Sequence, residues 1–363
     1  MKRPEWAPGT GIAPVTVIAA ILAIHFLHAT YVVTMPVAAA AFIAMVVHPA
    51  YAWLRQRLPE KLRWASGLLT LFLVLAVLLL FAGAIALAVT MVAERTPEYV
   101  QKAQALYDSV VAWASARGFR LEPGAVSGTE EPLTSRLLRG LQTAGAISSG
   151  IVLVLFCVLL MLLEARRWRE KVRASLEGWS AQATLDVVGT VSVKVRRYLL
   201  AQTLIGAITA VLEGIWLWTV GVDLAFVWAV LFFLLNFIPT LGSIVAAVPP
   251  ALAALTLGPG RATLAIAGMF VIEQVMGHFV DPKLVGKRLA ISPLVVLIAV
   301  VFWGWVWGVA GAFLAAPMTV SVIVAFAHVE ALWPIALLLS SAGSKEDLIE
   351  QTHHGGPPVT SDS

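Results

Sequence analysis

The sequence predicts an all-α polytopic membrane protein with about eight membrane segments and two broken-helix or hairpin units in the C-terminal half. Hydrophobic residues make up 60% of the 363 residues and charged residues 13%, and the mean hydropathy is +0.88. Ordinary globular domains contain about 45 to 50% apolar residues. The few charges lie in clusters separated by long uncharged tracts, as membrane spans require. A cytosolic globular protein is therefore excluded.

The N-terminal region, residues 1–93, is predicted to contain three spans. The apolar run over residues 11–54 is much longer than the apolar core of a cleaved signal peptide. Because Pro36 interrupts it, we expect two spans, 12–30 and 36–54, joined by a tight turn. A third span follows over residues 64–93.

The region 94–141 is predicted to be an external helix and loop. Thr96-Pro97 is typical of an N-cap followed by proline at the first helical position. Apolar residues then recur at spacings of three and four, which predicts an amphipathic helix over residues 97–117. Such a helix packs on the spans, on itself or on a neighbouring subunit. Because we do not expect one chain to cover the apolar stripe fully, we expect a homo-oligomer. Residues 118–135 have the composition of a mobile loop.

Residues 142–340 are predicted to form the transport core. Its single spans are 143–163, 199–220 and 261–280, with a cytoplasmic helical region at 164–197, and the tail 341–363 is predicted to be disordered.

Two tracts of the core are too long for one crossing. The 34 residues of 224–257 would reach about 51 Å as one helix, against a hydrocarbon core of about 30 Å. Asn236, Pro239 and Gly242 mark the expected break in this tract. The second tract, 289–340, contains its own helix-breaking residues, namely Gly304, Gly308, Gly311 and Pro317.

Basic residues in the loops predict the orientation of the chain. Four of them lie within residues 55–63 and eight within 164–197, and further ones within 281–288. Because basic loops stay in the cytoplasm, we expect these three segments and the N-terminus to be cytoplasmic, and 94–141 to lie outside.

Two carboxylates inside predicted spans are the candidate coupling residues. Glu213 lies within 199–220 and Glu273 within 261–280. A charge inside a span costs about 2.5 to 3.5 kcal/mol and is seldom present without a function or a partner. Desolvation favours the neutral acid, so each group could exchange a proton or hold a cation. The alternative is a pair of structural, hydrogen-bonded carboxyls.

Each glutamate precedes a similar unit of a loop, a long broken tract and a glycine-led apolar segment. If the first tract is a hairpin entering from outside, the second enters from inside, and the two halves are inverted repeats, as in many transporters. Chance similarity between tracts rich in small residues is the alternative. The expected substrate pathway consists of Gln202, Asn236, Pro239, Gly242, Gln274 and Gly311. By contrast, Asp281 to Lys287 is predicted to be a loop rather than a site.

The sequence predicts no enzyme, cofactor or metal. It contains no metalloprotease, nucleotide-binding or serine-hydrolase motif. His25 and His28 lack a third ligand at a suitable spacing, and the single cysteine, Cys157, cannot form a disulfide within the chain. The net charge of +4 is mild and offers nucleic acid no patch. Without a nucleotide site, transport would be driven by an ion gradient or be passive.

The joint spacing of several motifs resembles the autoinducer-2 exporter family, also called PerM-type permeases. The motifs are Asn236-Phe-Ile-Pro-Thr-Leu-Gly242, Asp281-Pro-Lys-Leu-Val-Gly-Lys287, Pro293-Leu-Val-Val-Leu and Gly311-x-x-x-Ala-Ala-Pro317. Ala290-Ile-Ser-Pro293 departs from the Gly-Leu-His-Pro of many members.

The resemblance implies a bacterial inner-membrane protein that exports a small polar molecule, such as a quorum-sensing signal, or exchanges cations for protons. The lipid bilayer and this solute or cation are the expected partners. A passive channel or a membrane scaffold is the alternative function.

Overall fold

The computed structural model describes residues 12–63, 65–115, 133–176, 178–284, 291–330 and 332–342, together with 344, 346 and 347. The described residues form helices, joined by one isolated bridge between Ile291 and Ser340. The α-helices are α1 Ile12–Ala29, α2 Tyr31–Arg57, α3 Ala65–Ser115, α4 Leu133–Ser175, α5 Gly178–Val220, α6 Ala225–Leu235, α7 Leu241–Leu255, α8 Pro259–Val275, α9 Asp281–Leu284, α10 Pro293–Ala327 and α11 Trp333–Leu339. A short 3₁₀ helix, Glu60–Leu62, precedes α3, and a π-helix, Met276–Val280, joins α8 to α9.

The described part of the chain contains five helices that are long and apolar enough to cross a membrane. They are Tyr31–Arg57, Ala65–Ala88, Ala181–Val220, Pro259–Val280 and Leu294–Ala327. Large apolar side chains on them remain exposed, among them Phe72 at 70%, Leu80 at 72% and Trp218 at 74%. Lipid tails are as apolar as these side chains, so the exposure fits a bilayer as the solvent. The prediction of an all-α membrane protein is confirmed.

The boundary between the first two helices lies at Thr30, and the predicted turn near Pro36 is wrong. Pro36 lies inside α2. The break frees the carbonyl oxygen of Leu27, which accepts hydrogen bonds from Thr34 Oγ1 at 3.2 Å and from Trp307 Nε1 at 3.4 Å. These substitute partners stabilise a break at Thr30, since a buried carbonyl without a partner is costly.

The third helix runs without interruption from the predicted span into the predicted external region. It contains 51 residues, so Thr96 and Pro97 do not start a new helix. A proline lacks the N–H that an interior helical position donates, but here the helix continues through it. Residues 116–132, which include most of the predicted mobile loop 118–135, lie outside the described residues, as does most of the tail 341–363.

The tract 224–257 forms a helical hairpin, in agreement with the sequence prediction of a break at its centre. Its arms α6 and α7 have 11 and 15 residues, or about 16 and 22 Å, so each is shorter than the hydrocarbon core. Val222 before α6 and Ala254 at the end of α7 lie in one buried cluster with Val220 at the end of α5. Both ends of this first hairpin therefore lie at the C-terminal end of α5.

Helix α10 is a second hairpin rather than a straight rod. Its backbone leaves the helical region at Trp307 and Gly308, and the indole Nε1 of Trp303 donates to Thr319 Oγ1 at 3.3 Å, although 16 residues separate them. In a straight helix these residues would be about 24 Å apart. The chain turns at 307–308 only, so Gly308 is the one predicted break residue at the turn. Gly304, Gly311 and Pro317 lie within the helical arms, 293–306 and 309–327.

The two hairpins enter the bundle from opposite ends of α5. Ile291 and Val324, at the two ends of the second hairpin, pack with Val191 and Val195 in the N-terminal half of α5. The tip of the first hairpin then meets the returning arm of the second, because the ring centroid of Phe237 lies 6.3 Å from that of Phe313. This is the inverted arrangement that the sequence repeat suggested.

Candidate functional site

The buried face of α5 carries a carboxyl group that has no partner. Glu213 is 0% exposed, and both of its carboxyl oxygens lack a hydrogen-bond partner among the described residues. Thr209, Glu213 and Leu217 follow one another at a spacing of four on the same buried face. A buried polar group without a partner destabilises the folded protein. Such a group is therefore more often found where it has a function than where its role is only structural.

Glu273 faces this helix from α8. Close packing of the two helices depends on Gly268, where a Cβ atom would overlap the ring of Trp216, and Trp216 Nε1 donates to the carbonyl of Ala265 at 3.4 Å. At this interface the carboxyl of Glu273 is close enough to Glu213 for the two groups to interact electrostatically. The hydroxyl of Ser243, in the first turn of α7, is close enough to the Glu273 carboxyl to interact with it. The two candidate coupling residues thus belong to one site, which the first hairpin completes.

The tip of the first hairpin is held to α5 by two hydrogen bonds. Gln202 Nε2 donates to the carbonyl of Asn236 at 2.5 Å, and Asn236 Nδ2 donates to the carbonyl of Gln202 at 3.2 Å. Gly206 leaves room for this contact, since a Cβ there would lie 2.9 Å from Asn236 Nδ2. The amide of Asn236 therefore joins elements that are 34 residues apart in sequence.

The tip of the first hairpin does not lie at the same depth as Glu213. Asn236 lies level with Gln202 and Gly206, which precede Glu213 by 11 and 7 residues, or about 16 and 10 Å along the helix. Ser243 is the residue that links the start of α7 to the carboxyl pair.

The tip itself has an unusual backbone. Pro239 cannot donate a backbone hydrogen bond, and it lies in the segment between the end of α6 at Leu235 and the start of α7 at Leu241. Thr240 has a φ of +62°, which is unfavourable for a β-branched residue. Its hydroxyl donates to the carbonyl of Pro239 at 2.7 Å. Strained residues of this kind persist where the surrounding structure holds them, often at functional sites.

The remaining predicted pathway residues have different surroundings. Gly242 and Gly311 each begin a returning arm, where a Cβ would overlap the carbonyl oxygen of Leu235 and of Trp303, respectively. They allow the arms to touch. The side chain of Gln274 is exposed, so this residue points away from the site and the structure does not group it with the others.

Sequence reasoning missed three residues near the site that have a buried side-chain oxygen. Tyr198 Oη and Thr209 Oγ1 on α5 and Asp281 Oδ1 at the start of α9 find no hydrogen-bond partner among the described residues. Asp281 is near enough to Tyr198 and Glu273 to act on both electrostatically. Burial raises the pKa of the Asp281 carboxyl above its usual value. Asp281 begins a helix, so the prediction of a loop at this position is wrong, whereas residues 285–290 lie outside the described residues.

The resulting arrangement is a row of polar groups between α5 and the segment from α8 to α9. Carboxyl and hydroxyl oxygens without partners are suited to accept a proton, a polar solute or a cation. In the described ranges, no group of three or more His, Cys, Asp or Glu side chains is arranged to hold a metal ion. His28 instead stacks on Trp305 with ring centroids 4.7 Å apart, and its Nδ1 lies 3.2 Å from the carbonyl of Val306.

Comparison with known proteins agrees with this architecture. The family model described as AI-2E family transporter matches residues 15–331. The chain belongs to the AI-2E transporter family. The resemblance inferred from the motifs is confirmed, and the protein is a multi-pass membrane transporter.

Relatives of this AI-2E family member are described as transport proteins. The AI-2 transport protein TqsA of Escherichia coli K12 is 31% identical over 320 residues, which cover 85% of this chain and 89% of TqsA. The putative transport protein YhhT of the same organism is 34% identical over 51% of this chain and 52% of its own length. A putative transport protein of Mycobacterium tuberculosis, MT0215, is 29% identical over 79% of this chain and 80% of its own length. These descriptions favour a transporter over an enzyme.

Proposed function

We propose that this AI-2E family member is a secondary transporter of a small polar molecule, in which Glu213 and Glu273 couple solute movement to protons or cations. The observation that carries the proposal is the carboxyl of Glu213, which is 0% exposed in a membrane span and has no hydrogen-bond partner among the described residues. A fixed structural role would supply such a group with partners. A carboxyl group that takes up and releases a proton or a ligand needs oxygens that are not already engaged in hydrogen bonds within the protein.

The chemistry that we propose is exchange at one site. With both carboxyls neutral, the interface between α5 and α8 carries no net charge and can hold a polar solute through hydroxyl and carbonyl groups. Loss of a proton from either glutamate creates a negative charge beside the other carboxyl, and this charge favours release of the solute or entry of a cation. Ser243 would hydrogen-bond Glu273 in both states because a hydroxyl can donate or accept.

The two hairpins would supply access to this site from opposite sides. The tip around Asn236, Pro239 and Gly242 and the arm that begins at Gly311 approach each other near Phe237 and Phe313. Opening one hairpin at a time would expose the row of polar groups to one side of the membrane only, which is the requirement for alternating access.

The proposed substrate class is a quorum-sensing signal of the autoinducer-2 type, and the proposed direction is export. The support for this class is the name of TqsA, which specifies AI-2 transport and whose alignment covers 85% of this chain. Exchange of a cation for protons is a second candidate activity, and it is favoured only by the pair of carboxyls.

The proposed setting is the bacterial inner membrane, with a cytoplasmic N-terminus and a homo-oligomeric assembly. Arg63 before α3 and Arg166 on α4 line one cavity, which is consistent with both basic segments lying on one side. The apolar stripe predicted for residues 97–117 supports the oligomer. Cysteine labelling of position 283 from outside intact cells would contradict the topology, and a monomeric mass in native lipid would contradict the assembly.

Flux in proteoliposomes tests the proposed coupling. Purified protein is reconstituted, and uptake of autoinducer-2 or of a monovalent cation is followed with and without a pH gradient. We expect the gradient to accelerate wild-type flux, and we expect Glu213→Gln or Glu273→Gln to abolish the acceleration because glutamine keeps the shape but does not titrate. Glu164→Gln is the matched control, since Glu164 is exposed on α4.

The outcomes are distinct. Wild-type flux that is the same with and without the pH gradient would indicate a passive channel. Wild-type flux and pH profile in both glutamine variants would show that Glu213 and Glu273 are packing residues. Absence of flux for every solute, with intact protein, would leave the scaffold alternative.

A further inference from the structure

A basic cavity lies at the end of the bundle where α2, α3 and α4 meet, far from the carboxyl pair along the sequence. It has a volume of about 310 Å³ and is lined by residues from the C-terminal part of α2, the loop before α3 and the C-terminal part of α4. The polar lining residues are His48, Tyr51, Arg55, Gln56, Arg63 and Arg166. In the part of the chain that the structure describes, three arginines and no carboxylate line this cavity.

Positive charge extends beyond the lining. Arg169 and Arg196 are close enough to act electrostatically on the imidazole of His48. The five arginines come from α2, α4, α5 and the segment before α3, so the chain folds to bring them together. Like charges repel, and a cluster of this kind therefore favours a bound anion.

The lining arginines keep donors available for such an anion. Arg63 Nη1 lies 3.0 Å from Glu60 Oε1 and Arg166 Nε lies 3.2 Å from Glu170 Oε1, and both pairs are exposed. Exposed pairs of this type contribute little. Each guanidinium has five N–H donors, so most of them remain for a ligand. Arg55 Nη1 donates to the hydroxyl of Tyr51 at 3.3 Å, which orients Arg55 at the cavity wall.

Apolar side chains continue from the cavity along the surface of the bundle. One turn from Arg63 and Arg166, Gly67 and Leu163 lie close together, since a Cβ added at Gly67 would be 3.4 Å from Leu163 Cδ2. Leu163 is 48% exposed and Leu68 is 49% exposed. Trp53 on α2 is also exposed and carries the guanidinium of Arg57 over its ring at 4.8 Å, which is typical of the membrane–water interface. A charged head group in the cavity would thus have its hydrocarbon chains beside an apolar wall.

We propose that this cavity binds the phosphate of an anionic phospholipid from the leaflet at this end of the bundle. Guanidinium groups match the geometry of phosphate oxygens and can contact them in pairs. Basic pockets between membrane helices are suited to anionic head groups. The exposed leucines one turn away select a lipid over free phosphate, because a soluble anion gains nothing from them. The site lies apart from the transport carboxyls, so this proposal stands independently of the coupling role of Glu213.

Native mass spectrometry of the intact protein, released from nanodiscs, tests the proposal. Nanodiscs contain either phosphatidylcholine alone or an equal mixture with phosphatidylglycerol, and a third sample in phosphatidylcholine receives inorganic phosphate. We expect the wild type to retain phosphatidylglycerol and no inorganic phosphate. Arg166→Gln should weaken retention about fivefold, which corresponds to one basic residue near a charged membrane surface. Arg55→Gln should have a similar effect.

Arg167→Gln is the matched control. This substitution removes the same charge from the same helix. The side chain of Arg167, however, projects from α4 about 100° away from that of Arg166, and it does not line the cavity. Equal retention of phosphatidylglycerol by the wild type, Arg166→Gln and Arg167→Gln would overturn the proposal. Arginine-dependent binding of inorganic phosphate without retention of phosphatidylglycerol would overturn the assignment to lipid.

Discussion

Replacement of Gly311 by alanine tests whether the arms of the second hairpin touch as closely as the structure shows. A Cβ on Gly311 would overlap the carbonyl oxygen and carbon of Trp303 and would lie 3.1 Å from the Cβ of Trp307. Backbone atoms cannot rotate away as a side chain can. The arms therefore have to separate, or the turn at 307–308 has to move.

The expected cost follows from the contacts that separation removes. Overpacking of a well-packed interior costs about 1 to 3 kcal/mol. Separation also weakens the hydrogen bond from Trp303 Nε1 to Thr319 Oγ1, and an interhelical hydrogen bond in a membrane contributes about 0.6 to 2 kcal/mol. We therefore expect Gly311→Ala to lower the free energy of unfolding by about 2 to 5 kcal/mol.

Unfolding in mixed micelles, followed by circular dichroism as the fraction of denaturing detergent rises, measures this change. Gly304→Ala is the control within the same hairpin, since a Cβ there meets Ala312 Cβ at an ordinary 3.8 Å. We expect this control to unfold within about 0.5 kcal/mol of the wild type. The reasoning is refuted if Gly311→Ala unfolds with the wild type, or if both alanine variants are destabilised equally.

Two further substitutions test the packing around the carboxyl pair. Gly268→Ala places a Cβ against the ring of Trp216 and should destabilise the protein by about 1 to 3 kcal/mol in the same assay, whereas Gly260→Ala on the same helix meets nothing within 4 Å and should be close to neutral. Gln202→Leu leaves the carbonyl of Asn236 without its donor and should cost about 1 to 2 kcal/mol. A wild-type unfolding curve for Gly268→Ala, or a Gln202→Leu variant as stable as the wild type, would show that these contacts do not hold α5 in place.

The hairpins could be predicted because their cause lies in local sequence. A largely apolar tract of 34 residues is too long for one span, and Asn236, Pro239 and Gly242 supply the break at its centre. The position of the turn in α10 was less predictable. Gly304, Gly308 and Gly311 are all permissive. Gly304 and Gly311 face the opposite arm, near Ala312 and Trp303 respectively, whereas Gly308 lies at the turn and has a φ of +63°.

Other features depend on contacts that are remote in sequence. The break between α1 and α2 at Thr30 is stabilised by Trp307, which donates to the carbonyl of Leu27 although 280 residues separate them. The grouping of Tyr198 with Asp281 likewise needs α5 and α9 to be neighbours. Glu213 and Glu273 were identifiable because a carboxyl inside an apolar span is conspicuous by itself. A tyrosine or a threonine on the same face, such as Tyr198 or Thr209, is common in membrane spans and does not indicate a site by itself.

The π-helix at Met276–Val280 determines the direction in which the side chains of α9 project around the helix axis, relative to those of α8. In a regular α-helix each residue advances by 100°, so Asp281, eight residues after Glu273, would lie about 80° away from it around the axis. A wide turn absorbs one extra residue, and the separation then behaves as seven residues, or about 20°. The carboxyls of Glu273 and Asp281 consequently project from nearly the same side of the continuous helix formed by α8, the π-helix and α9. Tightening this wide turn into regular helix would rotate α9 by about 100° as a unit and carry Asp281 away from Tyr198, with no change in the position of Glu273.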